Sequence, residues 1–242
     1  MRIIDCEQGS NKWHAARLGI PTASKFGCIV TPTGKLVTGA TRYTYMMQLL
    51  TERITGHVTD VYVSADMERG KRLEPEARDW FCKTFSEVVT QVGFVVSDDG
   101  RYGASPDGLI GNGGVLEIKV PKISNHIAHL VENVVPAQWQ VQIQGELLLC
   151  ERDYCQFVMY CDCEPVPTMV AAIHRNDTVI DALHKGLTAF GIELDAMEDT
   201  LRKRYDLPNR KTVNLEALSA DWCPFGDSWT VEDTTKEDGK DE

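Results

Sequence analysis

The chain has 242 residues, which is enough for one large domain or two small ones with a substantial core. Apolar residues make up 43% of it and charged residues 25%, as in ordinary globular proteins and unlike disordered ones. The 25 lysines and arginines against 36 aspartates and glutamates give a net charge of −11. This argues against a polybasic protein that neutralises phosphate in bulk, but not against an enzyme whose basic residues line only a substrate channel.

Helices dominate the predicted first half of the chain. Ser10 and Thr22 are suitable N-caps for two short helices, and Gly56 is a suitable end for a longer one. Pro75 is expected to interrupt a fourth helix, because it has no amide hydrogen to donate. In chain order, these helices are predicted at 13–18, 23–30, 41–55 and 64–85.

From residue 88 the apolar pattern alternates as it does in strands and then returns to the helical period. Strands are predicted at 88–96, 115–120, 154–160 and 168–173, and helices at 124–132 and 136–151. Asn112-Gly-Gly114 is a hairpin signal before the second strand. A last helix carries one apolar stripe, which we expect to pack against the sheet of the same domain: Ile180, Leu183, Leu187, Phe190, Leu194, Met197 and Leu201.

The pattern therefore predicts one mixed α/β (α+β) unit over residues 1–206. Residues 207–242 carry nine acids and four bases, and we expect a loosely docked acidic extension whose end is disordered. No apolar run predicts a membrane span, and the first residues do not resemble a secretory signal. The eight cysteines are accordingly expected to be thiols in the cytoplasm.

The residues with the strongest chemical signal are Asp107, Glu117 and Lys119. Side chains alternate along a strand, so Glu117 and Lys119 project to one face of the strand, and the hairpin can return Asp107 to that place. Adjacent carboxylates repel each other unless a cation lies between them, and Mg²⁺ prefers such oxygen ligands. The lysine can then orient an attacking water and neutralise phosphate charge. Glu-x-Lys also occurs by chance on solvated strand faces, which is the alternative interpretation.

Four alternating glutamines follow in the helix predicted at 136–151. Glutamine is a poor core residue without partners, and Gln140 lies beside the apolar stripe of that helix. We therefore expect Gln140 to point into the same site, although all four glutamines are compatible with a solvent-exposed face.

At this point the chain resembles the PD-(D/E)xK nucleases, and within them the phage lambda exonuclease type, the alkaline exonucleases of viral recombination. The resemblance runs in family order through these segments: Glu7-Gln-Gly-Ser-Asn-Lys-Trp-His-Ala-Ala-Arg-Leu-Gly19, Thr22-Ala-Ser24, Gly70-Lys-Arg-Leu-Glu-Pro-Glu-Ala-Arg78, Ser105-Pro-Asp-Gly-Leu109, Leu116-Glu-Ile-Lys-Val-Pro121 and Gln140-Val-Gln142. It implies a restriction-endonuclease-like core with a mixed central sheet flanked by helices.

The resemblance also implies roles for individual residues. Asp107, Glu117 and the carbonyl of Ile118 would hold two Mg²⁺ ions, for which Mn²⁺ can substitute. Lys119 would position the attacking water, and Glu74 would lie beside it. Gln140 would support the site. The remaining positions would bind the terminal 5′-phosphate of DNA: Arg17, Ser24 and Ser105.

The implied activity is 5′-to-3′ digestion of linear double-stranded DNA by a ring-shaped homotrimer, which leaves 3′ single strands for recombination. A single-strand annealing protein is the implied partner, and the bacterial host cytoplasm the implied location if a phage encodes the chain. Two alternatives stay open. One is a repair or CRISPR-adaptation nuclease with an iron–sulfur cluster, suggested by Cys150, Cys155, Cys161 and Cys163. The other is a non-catalytic module that binds DNA ends.

Overall fold

The structure, a computed structural model, describes residues 1–59 and 64–210 together with residues 215, 216, 218 and 224. The helices are α1 Asn11–Arg17, α2 Ala40–Thr55, α3 Ala65–Phe85, α4 Ile123–Glu132, α5 Ala137–Leu149 and α6 Asp177–Tyr205, with a 3₁₀-helix at Ala23–Cys28. The strands are β1 Arg2–Ile4, β2 Val89–Thr90, β3 Phe94–Val96, β4 Gly103–Ala104, β5 Gly108–Ile110, β6 Gly114–Lys119, β7 Tyr154–Met159 and β8 Met169–His174.

The larger sheet is mixed, with the strand order β2-β5-β6-β7-β8. Its only parallel pair within the described ranges is β6 with β7, and the chain crosses between these strands through α4 and α5. A second, antiparallel sheet has the order β1-β3-β4. The predicted architecture of a mixed sheet flanked by helices is confirmed.

Strand β6 lies between two hydrophobic clusters. Leu116 and Ile118 pack on one side with Ala77 and Phe81 of α3. Val115 belongs to the main core on the other side, which α5 helps to form. The alternation of side chains along β6 therefore directs Glu117 toward the layer that contains α5.

Helix α3 runs through Pro75 without interruption, so the predicted break is wrong. Proline removes one backbone donor, and Pro75 is exposed to solvent. The Ser64 hydroxyl caps the helix at Met67, and the buried Ala77 and Phe81 fix its apolar face. These interactions maintain the helix despite the lost hydrogen bond.

The predicted strand at 88–96 is divided between the two sheets. Strand β2 pairs with β5, whereas β3 pairs with β1 and β4. Gly93 lies at the division, where a Cβ would collide with the carbonyl oxygen of Cys6. Apolar alternation marked both pieces, but it carries no information about which sheet each piece joins.

Two further expectations differ in detail from the structure. The segment after Thr22 is a 3₁₀-helix without a side-chain cap, and the Thr22 hydroxyl lies 3.4 Å from that of Ser24. The apolar stripe of α6 is expected from the sequence to pack against the sheet, whereas in the structure its central residues enter the main core chiefly by packing on helices α2 and α5. A helical stripe indicates that a face is buried but does not identify the element that covers it.

Most of the predicted acidic extension, 207–242, lies outside the described residues, and the division at residue 206 stays a prediction. None of the helices in the described part of the chain combines the length and apolar character needed to span a bilayer.

Gly145 is expected to be essential for the packing of α5 on the 3₁₀-helix. A Cβ at this position would lie 2.5 Å from the ring of the fully buried Phe26. Gly145→Val is therefore expected to lower the free energy of unfolding by about 1–3 kcal/mol. The measurement is urea unfolding, with Gly27→Val as the control because the space at Gly27 is open. Equal losses in both variants would contradict this account.

Candidate active site

Asp107 and Glu117 are brought together by one hairpin. Strands β5 and β6 pair antiparallel with Gly108 opposite Leu116, so the next residues along the pair are Asp107 and Glu117. The carboxylate of Asp107 accepts a hydrogen bond from the backbone N–H of Ile118, with 2.6 Å between Oδ2 and N. The predicted approach of the two acids is confirmed.

A regular ladder would pair the N–H of Ile118 with the carbonyl of Pro106. That carbonyl instead accepts from the side chain of Gln8 at 2.9 Å, and the Asp107 carboxylate takes its place. The N–H and C=O of one strand residue point to the same neighbouring strand. The Ile118 carbonyl therefore points to the side of the strand where Asp107 lies.

Glu117 is 1% exposed and forms an ion pair through Oε1 with the ammonium group of Lys119. The same oxygen accepts from the amide nitrogen of Gln142 at 2.6 Å. Its second oxygen, Oε2, is buried and has no hydrogen-bond partner among the described residues. An orphaned carboxylate oxygen beside a second carboxylate suits a cation.

The carboxyl groups of this cluster have perturbed proton affinities. Burial, and next the charge of Glu117, raise the pKa of Asp107 and of Glu146 well above the ordinary carboxyl range. Burial alone would lower the pKa of Lys119, but Glu117 and Asp107 outweigh it and raise that pKa.

Glu74 of α3 joins the cluster through Arg78. Arg78 forms an ion pair with Glu74 one helical turn away, and its Nε donates to the backbone carbonyl of Asp107 at 3.1 Å. Burial first, and then Glu117, raise the pKa of Glu74 against the opposing effect of Arg78. Arg78 thus connects α3 to the turn before β5, a role that the sequence signalled only by its i,i+4 spacing from Glu74.

The donor set fits a hard divalent cation. The candidate ligands are the carboxylates of Asp107 and Glu117 and the carbonyl of Ile118, and the acids Glu74 and Glu146 add negative charge around them without joining them as a ligand group. Oxygen ligands with unbalanced negative charge are the ligands that Mg²⁺ and Mn²⁺ prefer.

The structure corrects the choice of glutamine. The side chain of Gln140 donates to the carbonyl of Val135 at 3.1 Å, at the start of α5. Gln142 is the residue whose amide reaches Glu117. Residues two apart on a helix point to nearly opposite sides, so the sequence alone could not decide which of the alternating glutamines faces the sheet.

The three predicted phosphate-binding residues lie near α1. The guanidinium of Arg17 packs 3.8 Å from the ring centroid of Trp13 and is 3.4 Å from the hydroxyl of Ser105. The indole N–H of Trp13 donates to the same hydroxyl at 2.8 Å. Ser24 is exposed, its hydroxyl lies 3.4 Å from that of Thr22, and both residues line the same cleft as Arg17.

A cleft of about 1420 Å³ extends from the segment around α1 to helix α3. Arg17 and Ser24 line it together with Glu74 and Arg78. Additional basic residues along the same cleft are Lys25, Lys71 and Arg72. Arg17 and the ion pair of Glu74 with Arg78 therefore lie along one cleft.

The turn after α1 is held by two consecutive side chains of α2. The backbone N–H of Gly19 donates to Glu52 at 2.9 Å, and the Gly19 carbonyl accepts from Arg53 at 2.7 Å. Arg53 also binds Asp195 and Glu198 of α6, at 2.8 and 3.3 Å. Gly19 has a positive φ of 68°, and a Cβ there would lie 2.6 Å from Arg53. This arrangement fixes the chain two residues beyond Arg17.

The cysteines do not form a cluster in the part of the chain that the structure describes. Cys150 and Cys155 are buried in the main core, whereas Cys163 is exposed in the connection after β7. No three histidine, cysteine or acidic side chains in the described ranges group as metal ligands would. The iron–sulfur alternative therefore gains no support from these residues.

Comparisons with known proteins give matches to a family model and to solved structures. A family model described as the YqaJ-like viral recombinase domain matches residues 12–153, a segment that contains Arg17, both hairpin acids and Gln142. No curated protein sequence matches the chain at a significant level.

Solved structures give a more detailed comparison. The alkaline exonuclease LHK-Exo from Laribacter hongkongensis is 32% identical, with a TM-score of 0.75 over 81% of this chain and 98% of that one. The structure of LHK-Exo in complex with dAMP gives the same values. A phage-related exonuclease from Haemophilus somnus 129PT is 16% identical, with a TM-score of 0.62 over 75% of this chain and 96% of that one, and shares the fold.

The raised carboxyl pKa values predict a pH dependence for the metal-free protein. An unfolded carboxyl group releases its proton near pH 4, earlier than the folded Asp107, so stability falls as pH rises from about 4 toward the raised pKa. Asp107→Asn is expected to weaken this fall. Urea unfolding in EDTA between pH 5 and 8 measures it, with the exposed Asp79→Asn as the control. An equal slope in both variants would contradict the assignment.

Proposed function

Because the chain belongs to the YqaJ-like viral recombinase family, and is a nuclease of the alkaline exonuclease type, we propose that it digests linear double-stranded DNA from 5′-phosphorylated ends. Digestion runs in the 5′-to-3′ direction and leaves 3′ single strands for recombination. The observation that carries the proposal is the convergence of Asp107, Glu117 and Lys119, with one buried oxygen of Glu117 that has no hydrogen-bond partner within the described part of the chain.

Two divalent ions, Mg²⁺ with Mn²⁺ as a substitute, would be held by Asp107, Glu117 and the carbonyl of Ile118. Such ions lower the pKa of water and neutralise charge on a phosphodiester. The donor chemistry, and the direction in which the Ile118 carbonyl points, support this ligand set.

Lys119 is proposed to hold the attacking water by donating from Nζ, opposite the 3′-oxygen that leaves. Its raised pKa keeps the group charged, which also offsets the negative charge that develops on phosphate. Glu74 lies beside this position, and Arg78 restrains it. The phosphorus–oxygen bond breaks by in-line displacement, which releases a 3′-hydroxyl and a 5′-phosphate.

Arg17, Ser24 and Ser105 are proposed to bind the terminal 5′-phosphate. Burial lowers the pKa of Arg17 to about 10, so the group stays protonated at neutral pH. Its contacts are with neutral groups, Trp13 and Ser105, which leave its charge available to an anion. Each cut regenerates a phosphorylated end, which this pocket can bind again.

The assembly is proposed to be a homotrimeric ring that encloses DNA and works with a single-strand annealing protein, in the cytoplasm of a bacterial host. Enclosure would explain how a chain with a net charge of −11 stays on a polyanion. A mass measurement in solution tests the trimer.

The catalytic assignment predicts the effect of two substitutions. Lys119→Ala and Asp107→Asn are each expected to reduce nucleotide release by at least about a hundredfold, because the first removes the donor that holds the attacking water and the second removes a metal ligand. Release from 5′-phosphorylated linear duplex is measured with Mg²⁺ and again after addition of EDTA, which is expected to abolish it.

Lys122→Ala is the matched control, since Lys122 is an exposed lysine paired with Asp66 outside the cluster. Wild-type rates in Lys119→Ala would disprove the role of Lys119. Binding of DNA ends without any hydrolysis by the folded wild type would favour the non-catalytic alternative.

The phosphate pocket predicts a change in end preference. Arg17→Ala is expected to lose the preference for 5′-phosphate over 5′-hydroxyl ends, because a bidentate charged donor is removed. The ratio of digestion rates on the two substrates measures this. Arg72→Ala removes an exposed arginine of the same cleft and is expected to slow both substrates equally. An unchanged ratio in Arg17→Ala would overturn the pocket assignment.

A further inference from the structure

We infer that Glu146 is a positioning residue that holds the metal-binding carboxylate of Glu117 in place through Gln142. This inference rests on the proposed function, because it concerns the same cation site. It assigns a role to a buried acid that lies outside the Asp–Glu–Lys pattern.

Glu146 lies on α5 and is 1% exposed, one helical turn after Gln142. Its Oε1 accepts from the amide nitrogen of Gln142 at 2.8 Å. The same nitrogen donates to Oε1 of Glu117 at 2.6 Å. An amide nitrogen carries two hydrogens, so the two carboxyl groups use both of them.

This double contact fixes the orientation of the Gln142 amide. A terminal amide has two nearly equivalent orientations that differ by half a turn. In the reversed orientation the amide oxygen would face the oxygens of both Glu117 and Glu146. Reversal would replace two hydrogen bonds by two contacts between oxygen atoms, and it is therefore unfavourable. Without Glu146, only the one hydrogen bond to Glu117 would oppose it.

The orientation matters because of the oxygen it leaves available. Oε1 of Glu117 receives both Lys119 and Gln142, which directs these donors to one side of the carboxylate. Oε2 then has no hydrogen-bond partner in the described ranges. Glu146 therefore acts at a distance on the availability of Oε2 for a cation.

A structural role alone does not explain the acid at this position. Burying a carboxyl group costs free energy, and an apolar residue of similar size would suit the layer that contains Ile143 and Leu147. One oxygen of Glu146 also has no hydrogen-bond partner among the described residues. A third-ligand role is not favoured either, since no three acidic side chains in these ranges group as metal ligands.

The test measures cation binding directly rather than through activity. Mn²⁺ is titrated into the metal-free full-length protein, and free Mn²⁺ is followed by electron paramagnetic resonance. Glu146→Leu is expected to raise the dissociation constant about 10- to 100-fold, the usual cost of losing an outer-shell partner. Glu146→Gln, which retains an acceptor oxygen for Gln142, is expected to stay within about threefold of wild type.

Two further variants separate the mechanism from a packing defect. Gln142→Leu is expected to weaken Mn²⁺ binding as Glu146→Leu does, and the double variant to be no weaker than either, because both act on one contact. Thermal unfolding of metal-free Glu146→Leu is expected to occur at or above the wild-type temperature, since a buried acid is removed. Glu146→Met repeats the titration if the leucine variant does not fold.

The outcomes distinguish this inference from the function on which it rests. Glu117→Gln is expected to bind Mn²⁺ far more weakly than wild type, and normal binding by that variant would overturn the proposed metal site. If Glu117→Gln loses Mn²⁺ while Glu146→Leu binds it normally, the positioning role is wrong and the proposed function stands. Additive losses in the double variant would also overturn the positioning role.

Discussion

The repulsion between two carboxylates on a single hairpin governs the arrangement of this site. Asp107 and Glu117 approach because β5 and β6 pair in a fixed register, and neither can move away without breaking backbone hydrogen bonds. Hydrogen-bond donors reduce the free-energy cost of this repulsion. The N–H of Ile118 donates to Asp107, and Lys119 and Gln142 donate to Glu117. A cation between the two carboxylates would relieve the repulsion that these donors leave, and this is the physical basis of the metal site that we propose.

The placement of β6 between two hydrophobic clusters gives the site its depth. Leu116 and Ile118 pack against α3, and the side chain of Glu117 therefore points toward α5. Helix α3 supplies Glu74 and Arg78 from one side, and α5 supplies Gln142 from the other. Each layer of the fold therefore contributes directly to one cluster of polar side chains, and the apolar residues of the same elements hold those contributions in place.

Local patterns allowed much of this site to be predicted from sequence. Alternation along one strand and a glycine-rich hairpin were sufficient to bring Asp107, Glu117 and Lys119 together, because these contacts span few residues. The glutamine could not be chosen in this way, since the facing side of α5 depends on how that helix docks. Glu146 was missed for the same reason, as a buried acid on an apolar helix has no sequence signal that separates it from an exposed one. The contact of Arg17 with Ser105 joins segments 88 residues apart, and only the resemblance to a family suggested it.

The turn at Gly19 has a consequence for how such chains diverge. Its backbone is held by Glu52 and Arg53, and Arg53 is in turn neutralised by Asp195 and Glu198 on the longest helix. Loss of Arg53 would leave Asp195 paired with Arg101 and Glu198 paired with Arg202, whereas loss of both acids would leave a buried guanidinium without a carboxylate. An acid at position 195 or 198 is therefore expected in every relative that keeps an arginine at position 53, even though these positions lie more than 140 residues apart in the chain.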